Sequence, residues 1–203
     1  MSTLVDTLTE GISVITWACT QTALAPGLAL VLVARKARLT VALYYIAGAA
    51  FLAWAQAAGH WWVASRGIAV MIGGLLAAGT FLAAWRAPGH SSPLATGAGI
   101  VGGALAGWLW RPCVGEHLGY ILNDAATDGP RTLALMGLYM AGVLLPLLLI
   151  AVAPYAVPAV GRLLDRLPFA IAGATVGAAY AAALAIGQYD DLIGELYRIS
   201  AGY

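Results

Sequence analysis

Charge is what this sequence has least of. Lys, Arg, Asp and Glu together make up 9% of its 203 residues, against about 25% in soluble domains. With 62% hydrophobic residues and a mean hydropathy of +0.86, such a chain cannot clothe an ordinary water-soluble surface, and it reads as a polytopic membrane protein. Cysteine is scarce too. Two cysteines exclude the disulfide framework of a small secreted domain and leave either packing residues or one redox pair. The first ten residues, Met1 to Glu10, hold no Lys or Arg, so they lack the basic start of a signal peptide. Ala23-Leu24-Ala25 mimics a cleavage site, but Pro26 comes directly after it, and the first apolar run is expected to be retained. A net charge of +1 offers no basic footprint, which argues against nucleic acid as a partner.

What is present is apolar length. A spanning helix needs about 20 mostly apolar residues, and six such runs fall at 11–34, 39–58, 63–85, 97–122, 132–153 and 167–187. Their abundance of Gly and Ala suits close helix packing in lipid. Trp61, Trp62, Trp85 and Tyr189 sit at run ends, where interfacial aromatic residues collect. Arg35, Lys36, Arg38, Arg86, Arg162 and Arg166 fall on one side, while Arg66, Arg131 and Arg198 fall on the other. The positive-inside rule makes the first side cytoplasmic and puts both termini outside, with Asp6, Glu10, Asp190, Asp191 and Glu195. His60 and His90 fall in predicted loops and read as solvated.

An internal repeat orders these runs. Tyr45-Ile46-Ala47-Gly48 comes after Cys19 with Tyr45 at +26, and Tyr139-Met140-Ala141-Gly142 comes after Cys113 with Tyr139 at +26. Cys, Tyr, Ala and Gly all match at one offset of 94 residues. Each half holds three runs, an odd number, so the second half enters the membrane inverted. The expected fold is therefore all-α: one transmembrane domain over 1–203, six helices, inverted halves at about 8–88 and 97–190. Inverted repeats place the working site near mid-membrane at their interface, often on broken helices. Pro26-Gly27 and Pro112 are the candidate breaks.

The densest chemistry lies in Trp110-Arg111-Pro112-Cys113-Val114-Gly115-Glu116-His117-Leu118-Gly119. Polar groups inside a membrane are costly and mark function by default. Thiol–disulfide exchange needs an attacking thiolate and a second, resolving thiol, here Cys113 and Cys19. An apolar setting opposes ionisation, so a positive charge or helix start must help. Arg111 supplies the charge and Pro112 the break, while Glu116 and His117 share the thiol's helical face and can shuttle a proton. Cys113, Glu116 and His117 also offer ligands for copper or zinc, although one turn of helix rarely closes a metal site alone.

Arg111-Pro112-Cys113-Val114-Gly115, with Leu118-Gly119-Tyr120-Ile121-Leu122 after it, resembles the second-half motif of the CcdA family, P-C-V-G-P-x-L-G-x-I-L. Tyr139, Gly142 and Pro146 resemble that family's next helix. The first half departs further: Ala18 precedes Cys19, Thr22 replaces a proline, and Pro26-Gly27 stand one residue late. Glu116 replaces the family's second proline. The resemblance implies a carrier related to the DsbD membrane domain, in a bacterial-type inner membrane. It would pass reducing equivalents from cytoplasmic thioredoxin to an outward-facing thioredoxin-like acceptor, often for cytochrome c maturation. The dithiol itself is then the carrier, with no metal or other cofactor. The alternatives are a non-catalytic membrane subunit on the same scaffold and a transporter of metal or small solutes.

Overall fold

The computed structural model describes residues 2–15, 18–59, 66–109, 116–125, 127–165 and 167–188, with 191, 194, 195 and 198 singly. For 2, 3, 18, 19, 66–71, 116, 117 and 167 it describes the backbone alone. Among the described residues there are ten helices and no strand. They are α1 Ser2–Ser13, α2 Ala18–Val33, α3 Arg38–Ala57, α4 Arg66–Arg86, α5 Pro93–Leu109, α6 Glu116–Asp124, α7 Gly129–Val143, α8 Leu145–Ala156, α9 Pro158–Leu164 and α10 Leu167–Ala185.

Prolines punctuate this order. Pro93, Pro130, Pro146, Pro158 and Pro168 each stand at the first or second position of a helix. There the missing amide has no intrahelical acceptor anyway, and the fixed φ suits a helix start. Pro146 thereby divides the fifth predicted run into α7 and α8, bent by 67°. The first predicted run starts inside the end of α1 and takes in α2 whole, and the fourth yields α5 and α6. By length and composition, Arg38–Ala57 and Pro168–Ala185 can cross a membrane, and the bent pair α7 and α8 adds a third if it counts as one span. Outward faces carry Leu75 at 74%, Leu149 at 61% and Phe51 at 52% exposure. Such faces are compatible with a membrane protein.

At the centre lies α3, packed against α2, α5, α7 and α8. Its tightest partner is α5, because Gly99, Gly103 and Gly107 recur every four residues along one face. They rest on Val41 and Tyr44, on Tyr45, and on Ala49 in turn, so the two helices run parallel. Removing each Cβ lets the backbones touch, which is how helices associate where lipid supplies no hydrophobic drive. Another tight contact is that of α7 on α1.

Polar contacts sort the connections to two ends of the bundle. Arg38 Nη2 donates to Leu164 O at 2.9 Å and pairs with Asp165 at 2.9 Å. Thr40 Oγ1 donates to His90 O at 2.9 Å, and the exposed His90 ring meets Tyr155 Oη at 2.7 Å. Arg35, Lys36 and Arg86 line one cleft at this same end. At the opposite end Gln56 Nε2 donates to Trp108 O at 2.8 Å, and Trp54 Nε1 to Thr132 Oγ1 at 3.0 Å. Arg166, His60, Trp61, Trp62, Tyr189 and Asp190 lie outside the described residues.

Candidate functional site

Cys19 is the second residue of α2, and its side chain lies outside what is described. α1 ends at Ser13, and α2 is described from Ala18 onward. A helix end leaves carbonyls unpaired, and in an apolar setting side chains must satisfy them. The two residues after Cys19 do this: Thr20 Oγ1 donates to Val14 O, and Gln21 Nε2 donates to Ile15 O at 2.9 Å. The cysteine therefore occupies the first turn of a helix pinned to the end of its predecessor. Amides at a helix N-terminus favour a thiolate.

The break in this segment is consequently not at Pro26-Gly27, as the sequence suggests, but before Cys19. α2 continues through Pro26 to Val33. An internal proline removes one amide and crowds the carbonyls of the preceding turn, a defect that neighbouring helices repair in membranes. Here Tyr45 Oη donates to Ala23 O at 2.6 Å, within that turn. Gly27 allows the approach, since a Cβ there would stand 2.8 Å from Tyr45 Cε1. Pro26, Gly27 and Tyr45 thus form one unit that keeps α2 whole, with Tyr45 only 1% exposed.

In the second half Arg111, Pro112 and Cys113 lie outside the described residues. Glu116 and His117 are the first described residues of α6, with their side chains outside as well. The separation of Cys19 and Cys113 therefore also lies outside them. The remainder of α6 is firmly seated: Leu118 and Ile121 are fully buried, and the Arg131 guanidinium stands 5.9 Å from the Tyr120 ring centre. Tyr139, the counterpart of Tyr45, is likewise 1% exposed. Gly142, the counterpart of Gly48, would carry a Cβ 2.5 Å from Leu8 O of α1, while a Cβ on Gly48 would run into Ile100 O of α5.

Three contributors escape the sequence reading. Thr20 and Gln21 come directly after Cys19, and their signal is two polar residues near the start of an apolar helix. Glu10 reads in the sequence as part of an outward tail, yet it sits in α1 with a carboxylate oxygen buried, close enough to Tyr139 to act on it electrostatically. Its signal is the spacing of Thr7, Gly11 and Val14, one helical face that is buried throughout. Among the described residues no three His, Cys, Asp or Glu gather as a metal site. Compared with family models, curated proteins and solved structures, the chain matches none.

Proposed function

We propose that this chain is a transmembrane thiol–disulfide electron carrier in which Cys19 and Cys113 form the redox pair. One observation carries the reading: each cysteine precedes by 26 residues a tyrosine on the next long helix, and both tyrosines are 1% exposed. The repeat is thus a repeat of packing as well as of letters. The likeness of the Cys113 segment to the CcdA motif supports the same reading.

A six-traverse, inverted arrangement accompanies this proposal. The alternation of ends supports it, since the 35–40, 86–90 and 155–165 connections share one end. The α3–α5 and α3–α7 ends meet at the other. The basic end then faces the cytoplasm of a bacterial-type membrane, and both termini face outward.

In the proposed cycle a thiolate of reduced cytoplasmic thioredoxin attacks the Cys19–Cys113 disulfide. The resulting mixed disulfide is resolved by the donor's second thiol. The donor leaves oxidised, and both cysteines leave as thiols after taking up two protons. The dithiol then reduces the disulfide of an outward-facing thioredoxin-like acceptor by the reverse sequence, as cytochrome c maturation requires. The start of α2 favours the Cys19 thiolate, and Arg111 with Pro112 favours that of Cys113.

The test is a count of thiols and a transfer assay. Reduced protein should present two alkylatable cysteines, and oxidised protein none, with no dimer formed. Cys19→Ser should trap a mixed disulfide on Cys113, and either single serine variant should abolish reduction of the acceptor. Full transfer by the double serine variant would leave a non-catalytic subunit as the better reading. Activity lost on chelation would favour metal handling instead.

A further inference from the structure

At the basic end, Arg35, Lys36 and Arg86 line a cleft of about 310 Å³ together with Val33, Trp85 and Pro88. Among the described residues no carboxylate lines it, and the acidic residue at this end, Asp165, is paired with Arg38. Nη2 of Arg35 is buried and has no hydrogen-bond partner among the described residues. A buried guanidinium nitrogen left without an acceptor is costly, and three cations around one concavity repel each other. Both costs fall if an anion sits between them.

The cleft does not end at its charges. Val33 and Trp85 also border an apolar groove of about 260 Å³, which runs between α2, α4 and α10 past Phe81, Leu82, Ala174 and Ala178. From Trp85 to Ala78, both on its wall, the groove tracks seven residues of helix, about 10 Å. Trp85 is 50% exposed at the junction, as an interfacial indole should be.

We infer that this cleft and groove together bind one anionic phospholipid, its phosphate among Arg35, Lys36 and Arg86 and an acyl chain along α4 and α10. Basic pockets between helices at a membrane face are suited to such headgroups. A free phosphate would satisfy the cations but leave the adjoining groove unexplained.

The experiment uses the full chain in detergent and phospholipids with dibrominated acyl chains, which quench tryptophan on contact. Trp85→Phe defines the share of quenching that belongs to Trp85. Phosphatidylglycerol should quench that share at lower concentration than phosphatidylcholine. Arg35→Gln, Lys36→Gln and Arg86→Gln should each weaken the phosphatidylglycerol response about fivefold. Ala178→Phe, which fills the groove, should remove Trp85 quenching by both lipids. If Arg35→Gln fails to fold, the exposed Lys36 and Arg86 carry the same test. Equal response to the two lipids, or no effect of Arg86→Gln, overturns the inference. So does displacement by glycerol phosphate at concentrations equal to those of the lipid, which would make this a site for free anions.

Discussion

Gly103 offers the sharpest test of how the bundle is held. A Cβ placed there would stand 2.7 Å from the Tyr45 carbonyl carbon and 2.8 Å from its Cα, and closer still to its oxygen. Ordinary contact begins at 3.4 Å, so the backbones must part by at least 0.7 Å, the difference between 3.4 and 2.7. Backbone cannot swing aside as a side-chain tip can. Overpacking of this kind costs about 1–3 kcal/mol, or a fall in Tm of roughly 2–12 °C at about 2–4 °C per kcal/mol. Gly97 lies on the same helix, and a Cβ there meets nothing within 4 Å. Gly97→Ala should therefore stabilise the protein by up to about 1 kcal/mol through helix propensity alone. The two single-methyl additions should move Tm in opposite directions, read by circular dichroism in one detergent. Equal shifts would refute the view that backbone contact, rather than general helix propensity, sets the α3–α5 distance.

Tyr45→Phe removes only the hydroxyl that serves Ala23 O and should cost about 1–3 kcal/mol. Amide exchange should rise within α2 around Pro26 and not in α4. Asp165→Asn should cost less than about 1 kcal/mol, because an exposed partner is screened, Asp165 being 57% exposed. Arg38→Ala also loses the bond to Leu164 O and should cost about 1.5–3 kcal/mol. Thermal shifts of the two variants in the same buffer should rank them in that order. Alkylation with mass readout should find both cysteines blocked in oxidised monomer and both free after reduction.

The uninterrupted runs are legible as helices. The run at 39–58 corresponds to Arg38–Ala57, and that at 167–187 to Leu167–Ala185, because long Ala and Leu stretches have no alternative in an apolar medium. Breaks are less legible, since hydropathy summed over a window is blind to them. Ile12-Ser13-Val14-Ile15-Thr16 is a run of β-branched residues and serine, types that disfavour helix, and it marks the end of α1 better than any proline does. Pro26 misleads in the other direction, for its defect is repaired by the Tyr45 hydroxyl, which stands 22 residues along the chain from the Ala23 carbonyl that it serves. The cysteine pair is visible only as a spacing. The caps from Thr20 and Gln21 become meaningful once the helix start beside them is known, and Glu10 once α1 has found α7.

That α1 rests mainly on α7, and α5 on α3, sets a timetable for biosynthesis. The glycine-contacting face of α3 is complete at Ala57, but its mate ends only at Leu109. At about 5–20 residues per second, that face waits roughly 3–10 s for cover. The wait of α1 is longer, since it ends at Ser13 and α7 at Val143, roughly 6–26 s at the same rate. With 12 residues, α1 falls well short of the roughly 20 that span a bilayer. It must therefore reach its place after most of the chain has been made. A ribosome stalled before residue 129 would leave α1 without its seat, so α1 is among the last helices to find its place.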